Sequence, residues 1–79
     1  MQNKLNYRQI ALIIHALKHP RTRYIIESHR QSHNVTYDTA RTDLLKLADL
    51  GLLIKQKTGK AFSFIAPENL KSRIQEIEI

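Results

Sequence analysis

The hydrophobic spacing of the chain changes its period at Gly51. Before Gly51, apolar residues recur every three or four positions, which is typical of amphipathic helices. After it, they alternate with polar residues, which is typical of strands. A glycine between the two patterns favours a helix end, because glycine adopts the left-handed conformation that closes many helices without a steric penalty. The 79 residues therefore predict a helical part followed by a β-hairpin, within one small domain.

The first predicted helix begins after Asn6 and ends before Pro20. Asn6 and Gln9 have the spacing of a capping box, and Pro20 disfavours the α conformation at the residue before it. Four apolar residues between these ends have the spacing of one helix face, namely Ile10, Ile13, Ile14 and Leu17. Tyr24 and Ile25 can then form a very short strand.

The next two helices have the arrangement of a helix-turn-helix unit. A short segment from about Ile26 to His33 predicts the second helix, and Asn34 suits the left-handed residue of a tight turn. Thr36 can cap a third helix from about Tyr37 to Leu50, which Gly51 closes. The apolar face of this third helix consists of Ala40, Leu44 and Leu47.

Two strands and a last helix are predicted after Gly51. The strands run from Leu52 to Lys57 and from Ala61 to Ala66, with Thr58-Gly59-Lys60 as the hairpin connection. Pro67 suits the first turn of the last helix. In the second strand Phe62 and Phe64 share one face and Ser63 and Ile65 the other, and the last helix has an apolar stripe of Leu70, Ile74 and Ile77.

The element order α-α-α-β-β-α, mainly helical with a small β-hairpin, predicts a winged helix-turn-helix fold. Residues 1–79 then form a single domain whose core covers about residues 5–78. In this fold the second helix of the helix-turn-helix fits the major groove of DNA, and cations of the hairpin, the wing, reach neighbouring phosphates.

The net charge of +6 is unevenly distributed along the chain. Residues 1–36 carry six Lys and Arg against one Glu, and residues 51–61 carry three Lys and no acid. Such clusters suit a polyanionic partner, because neutralised phosphates release their counterions. Solubility alone also favours a net charge on a small domain. Duplex DNA is the partner that charge and pattern together favour.

The predicted DNA-contacting residues lie on the third helix and the wing. They are Tyr37, Thr39, Arg41, Thr42 and Lys46 on the helix, and Lys55, Lys57 and Lys60 in the wing. Two considerations oppose this interpretation: three aspartates give the third helix a net charge of −1, and lysines on an edge strand also discourage aggregation. One of these aspartates, Asp43, can pair with Arg41 or with a cation of the first helix.

Leu45 does not fit the pattern of a DNA-reading helix. At 100° per residue it lies about 140° from the centre of the buried face at Ala40, where a polar residue is usual. With Ala48 beside it, Leu45 can form an apolar patch that contacts a second domain or subunit. The alternative is that the N-terminal segment or the wing covers it.

The composition offers little for other classes of function. The chain has no cysteine, and it lacks the pattern of a signal peptide or a membrane span, so we expect a cytoplasmic protein. The pairs His15/His19 and His29/His33 have the i, i+4 spacing of metal ligands. No acidic third ligand accompanies them, so hydrogen-bonded, partly buried histidines are the favoured interpretation. We predict no metal, no cofactor and no catalytic site.

Several segments resemble known proteins. Residues 35–53 resemble the winged-helix domains of DeoR-type repressors. More closely, a set of segments resembles the C-terminal domain of Fic-family proteins: Tyr7-Arg-Gln-Ile-Ala-Leu, His15-Ala-Leu-Lys-His-Pro20, Ser28-His-Arg-Gln-Ser-His33, the same third-helix stretch, and Gly59-Lys-Ala-Phe62. This resemblance spans roughly residues 5–70.

The resemblance implies an accessory role. Fic catalytic domains transfer AMP from ATP to a hydroxyl group of a target protein, using a loop that begins His-Pro-Phe and ends Gly-Asn-Gly-Arg. That loop is absent here, since His19-Pro20 is followed by Arg21. We therefore expect a non-catalytic, DNA-binding module of the kind found in transcription regulators. The alternative is a protein-interaction module that docks on a Fic catalytic domain, recruits its target or dimerises the chain.

Overall fold

The predicted order of elements is confirmed. The computed structural model describes residues 5–59 and 61–76, so Lys60 and Ile77 lie outside the described residues. The elements are α1 (Tyr7–Lys18), β1 (Arg23–Tyr24), α2 (Ile26–His33), α3 (Tyr37–Asp49), β2 (Ile54–Thr58), β3 (Ala61–Ile65) and α4 (Leu70–Glu76). They form a winged helix-turn-helix in which α2 and α3 are the helix-turn-helix pair and β2–β3 is the wing.

The polar residues predicted to begin and end the helices do so. Asn6 and Gln9 form the reciprocal capping box of α1, each side chain accepting from the other's backbone N–H at 2.9 Å. The Thr36 hydroxyl accepts from the backbone N–H of Thr39 and caps α3. Asn34 closes α2 in the left-handed region at φ 51°, so the turn before α3 follows from local chemistry.

The change of period at Gly51 corresponds to a two-bond helix end. Gly51, at φ 82°, donates to the carbonyl of Ala48, and Leu52 donates to the carbonyl of Leu47, which is the Schellman arrangement. Leu52 and Leu53 are buried beneath this turn, so β2 starts at Ile54 rather than at the predicted Leu52.

The last helix starts three residues later than Pro67. Pro67 lies in the turn before α4, and its carbonyl accepts from the backbone N–H of Leu70. Arg73 of α4 donates through Nη1 to the carbonyl of Gly51 at 2.8 Å. This bond ties α4 to the end of α3.

The three strands form an antiparallel sheet in the order β1-β3-β2. Phe64 of β3 pairs with Tyr24 of β1 on one side and with Lys55 of β2 on the other. Phe64 is fully buried, whereas Phe62, on the same face but nearer the wing tip, is 42% exposed. The sheet thus contributes one aromatic ring to the core and leaves a second at the wing.

One core joins the helices to β3. Its buried apolar residues are Leu12, Ile13, Ala16, Ile26, Ala40, Leu44, Leu47, Leu52, Leu53, Phe64 and Leu70. The apolar face predicted for α1 is wrong in three of its four positions, because only Ile13 is buried and Ile10, Ile14 and Leu17 are exposed. The core-facing side of α1 carries Gln9 and small or apolar residues instead. Because Gln9 is polar, the sequence pattern does not identify this side as the buried one.

A buried carboxylate joins α1, α2 and α3. Asp43 on α3 accepts two bonds from the Arg8 guanidinium, through Nε at 2.7 Å and Nη2 at 3.1 Å. It also accepts from Asn6 Nδ2 at 2.8 Å and from His29 Nε2 at 3.0 Å, while its backbone carbonyl accepts from Gln9 Nε2. Both carboxylate oxygens therefore have two donors each. We call Asn6, Arg8, Gln9, His29 and Asp43 the Asp43 cluster.

The donors around Asp43 decide its charge state. Burial by itself raises the pKa of this carboxyl, but the hydrogen bonds from Arg8, Asn6 and His29 outweigh burial and lower the pKa below its ordinary value. The partner guanidinium shifts in the complementary direction, since its hydrogen bond to Asp43 raises the pKa of Arg8. The pair is consequently ionised in the folded protein, and its charges are satisfied internally.

Replacing Asp43 with alanine should destabilise the fold strongly. Asp43→Ala leaves Arg8, Asn6 and His29 facing a site without an acceptor, and breaking a buried, hydrogen-bonded pair in this way costs about 3 kcal/mol or more. Urea unfolding followed by circular dichroism measures the loss. The matched control is Asp49→Ala, an exposed aspartate on the same helix, which should change stability by less than about 0.5 kcal/mol. Equal effects of the two substitutions would contradict the assigned role of the cluster.

The same cluster predicts an acid-dependent loss of stability. A carboxyl with a lower pKa in the folded than in the unfolded state contributes stability that is present above its ordinary pKa, about 4, and is lost as pH falls through the folded value. The free energy of unfolding of the unsubstituted chain should therefore drop from about pH 4 downward. Asp43→Asn, which starts from a lower stability, should lose less over that range. Parallel curves for the two proteins would show that Asp43 has no such shift.

Candidate nucleic-acid interface

The outer face of α3 carries most of the residues predicted to contact DNA. Arg41, Thr42 and Lys46 are exposed in the middle of the helix, and Tyr37 is exposed at its start. Thr39 is half-buried, and its hydroxyl accepts from the Thr36 hydroxyl at 3.0 Å. Thr39 is therefore part of the N-terminal cap, and of the five α3 candidates it is the one least open to an incoming ligand.

The Asp43 cluster changes the electrostatics of α3. The sequence assigns this helix three aspartates and a net charge of −1, which argues against insertion between phosphates. Asp43, however, is buried against Arg8 and His29. The predicted pairing with a cation of the first helix is thereby confirmed, and Arg41 is not the partner. The exposed face keeps Asp38 and Asp49 near its two ends, with Arg41 and Lys46 between them.

The wing lysines lie on the same side of the sheet as α3. Lys55 pairs directly with Phe64 and Lys57 with Phe62, and directly opposed residues of an antiparallel pair project to one face. The ammonium group of Lys55 lies 4.7 Å from the centre of the Phe62 ring, which is within range of a cation–π interaction. The sequence pattern places both lysines on one face but gives no hint of this contact.

Two surface depressions connect the wing with the helix-turn-helix. One is lined by Thr42, Leu45, Lys46, Ala48, Asp49 and Lys55, so a wing lysine borders the exposed face of α3. The other is lined by residues that include Ile25, Tyr37 and Phe62 and lies between the start of α3 and the wing. Thr42, Lys46 and Lys55 thus border one depression, and Tyr37 and Phe62 border the other.

The predicted apolar patch at Leu45 and Ala48 is smaller than the sequence suggests. Both residues are half-buried and pack against the core cluster. Their remaining exposed area lines the depression beside Lys55. Leu45 therefore contributes partly to the fold of the monomer and partly to the surface of α3.

The histidines take part in hydrogen bonds and ring contacts. His29 is buried and donates to Asp43, and a 2.7 Å hydrogen bond joins His15 Nδ1 to the Tyr24 hydroxyl. Burial, together with His29 and Arg8 nearby, lowers the pKa of His33. Among residues 5–59 and 61–76, no three His, Cys, Asp or Glu side chains are grouped so as to hold a metal ion. In the same described part, no helix has the length and apolar character needed to cross a membrane.

Comparison with known proteins supports the fold and gives no information on activity. No family model matches the chain, and no curated protein matches it. Among solved structures it is similar to the crystal structure of the ST1889 protein from the thermoacidophilic archaeon Sulfolobus tokodaii, with a TM-score of 0.74 and 18% sequence identity. The similarity covers 90% of this chain and 70% of the archaeal one. At this identity, what the two proteins share is the fold.

Proposed function

We propose that this chain is a non-catalytic module that binds duplex DNA through α3 and the wing. The observation that supports it most is the burial of Asp43 against Arg8. With that aspartate satisfied internally, the middle of the exposed α3 face presents Arg41, Thr42 and Lys46, a set of donors suited to phosphates and base edges.

The proposed mode of binding follows from the shape of this surface. The start of α3, with Tyr37, Arg41 and Thr42, would enter the major groove, and Lys55 and Lys57 would contact phosphates of the adjacent backbone. Lys60, which the sequence also predicts as a phosphate contact, lies outside the described residues. The helix residues carry any sequence preference, and the lysines contribute affinity that does not depend on sequence.

The resemblance to Fic-family C-terminal domains gives this module a context. We propose that it is the accessory DNA-binding domain of such a protein, that its role is in transcription regulation, and that the AMP-transferring chemistry belongs to another domain. The proposal includes a cytoplasmic location and requires no metal or cofactor.

Binding to DNA should depend steeply on salt. A fluorescent mixed-sequence duplex of about 20 base pairs, titrated at low salt, should bind with a Kd in the micromolar range, because sequence-independent binding of this kind is set by phosphate contacts. If four cations of the chain contact phosphates, a plot of the logarithm of the binding constant against the logarithm of the salt concentration should have a slope of about −3 to −4. Lys55→Glu/Lys57→Glu should weaken binding at least tenfold and reduce the slope by about two.

The control carries the same change of net charge elsewhere. Lys18→Glu/Lys71→Glu replaces exposed lysines of α1 and α4 and should retain most of the affinity, because only the long-range attraction is altered. Absence of binding at micromolar protein and low salt would refute the proposal. Equal losses in the two double variants would refute the assignment of the wing.

A second candidate function is docking onto a protein, in particular onto a Fic catalytic domain. The observation that favours it is the partial exposure of Leu45 and Ala48 in the depression beside Lys55. An apolar side chain at this position on α3 suits a protein surface better than a DNA groove.

Titration of the isotope-labelled chain with a separately purified Fic catalytic domain from the same genome tests this candidate. It predicts amide shifts centred on Leu45 and Ala48, and at least a tenfold weaker interaction for Leu45→Gln. Lys71→Gln, a change at an exposed position of α4 outside this depression, is the control and should bind like the unsubstituted chain. No shift at Leu45 with the domain in excess would eliminate this candidate and leave the DNA proposal untouched.

A further inference from the structure

An apolar surface that neither the fold nor the proposed DNA interface explains lies on the outer side of α1. Four side chains of this helix are exposed although they are apolar or aromatic: Tyr7 at 68%, Ile10 at 39%, Ile14 at 49% and Leu17 at 46%. They belong to a single row along the outer side of the helix. We call this row the α1 seam.

The spacing of the α1 seam is that of a helix-pairing interface. Its members are separated by three, four and three residues, which is the alternation of a and d positions in paired helices. The row is also symmetric about its middle. In an antiparallel pair of identical helices, Tyr7 would face Leu17 of the second copy, and Ile10 would face Ile14 of the second copy. Such a self-complementary surface is what a two-fold dimer requires.

The exposed apolar area of the α1 seam limits the affinity to be expected for a dimer. At about 200 Å² for each fully accessible side chain, the exposed portions of the seam amount to about 400 Å² per chain. This lies within the range of about 300–600 Å² for the largest apolar patch of a monomer, which is often functional. A standard interface buries about 800 Å² per partner. The seam exposes about half of that area, so we expect a weak dimer rather than an obligate one.

The charges beside the seam favour an antiparallel over a parallel pair. Arg8, next to Tyr7, is turned to Asp43 and neutralised there. Lys18, next to Leu17, is exposed. A parallel pair would bring the two Lys18 side chains together, whereas an antiparallel pair separates them by about 18 Å along the helix axis. The antiparallel pair also opposes the two helix dipoles, which is the favourable arrangement.

We propose that the α1 seam binds a second copy of this chain in an antiparallel, two-fold arrangement. The proposal is independent of DNA binding, because the seam shares no residue with the proposed DNA interface. If the chain does not dimerise through the seam, the proposed DNA binding is unaffected. If the chain does not bind DNA, the proposed dimer is unaffected.

Sedimentation equilibrium of the full 79-residue chain from about 10 µM to 1 mM tests the proposal. The weight-average mass should rise from the monomer value of 9.2 kDa toward twice that value. Ile14→Glu should remain monomeric throughout. The control is Ile54→Glu, which replaces an exposed isoleucine of β2 and should dimerise like the unsubstituted chain. Circular dichroism and thermal unfolding verify that each variant is folded.

Disulfide trapping tests the orientation. The chain contains no cysteine, so single replacements give unambiguous products. In an equimolar mixture of Ile10→Cys and Ile14→Cys chains under mild oxidation, random pairing gives twice as much mixed disulfide as either disulfide between like chains. The antiparallel pair predicts a mixed fraction well above this statistical ratio. A parallel pair predicts the reverse.

Three results would overturn the proposal: a monomer at all concentrations, dimerisation of Ile14→Glu equal to that of the unsubstituted chain, or an excess of like-chain disulfides. A monomer at all concentrations would mean that the seam does not bind a second copy, and that any partner is a different protein or another domain. The second would place the dimer interface elsewhere on the molecule.

Discussion

The carboxylate of Asp43 is the interaction on which the arrangement of the helices depends. A buried charge is tolerated only when its hydrogen-bonding capacity is filled, and the four bonds to Asp43 come from Asn6, Arg8 and His29. These donors belong to the start of α1 and the middle of α2, so they hold both elements against α3. Apolar packing alone tolerates small rotations of a helix, whereas a bidentate guanidinium–carboxylate pair fixes distance and angle together.

The consequence for function is electrostatic. Because Arg8 and His29 satisfy Asp43 inside the fold, α3 keeps a surface whose central charged groups are Arg41 and Lys46. The wing adds Lys55 and Lys57 on the same side of the sheet, with Lys55 held over the Phe62 ring. A structural interaction in the helix bundle thus determines which charges a partner of α3 meets, and the surface is more basic than the sequence of α3 indicates.

Much of the fold could be predicted from the sequence because its signals are local. The capping box of Asn6 and Gln9, the left-handed Asn34 and the glycine end of α3 are each decided by a few neighbouring residues, and all three are confirmed. The orientation of α1 could not be predicted in the same way. This helix has apolar residues on two faces, and the choice between them depends on Gln9 finding partners in Asn6 and Asp43, which are contacts between distant parts of the chain. For the same reason, the sequence left open whether Asp43 pairs with Arg41 or with a cation of α1, and it did not predict the contact of Lys55 with Phe62.

The central claim is that the exposed face of α3 and the wing together meet duplex DNA. Mapping amide chemical-shift changes of the isotope-labelled chain during titration with a short duplex tests it most directly. The largest changes are expected at Arg41, Thr42, Lys55 and Lys57, with residues of α4 little affected. Changes confined to α1, or no changes at all, would contradict it.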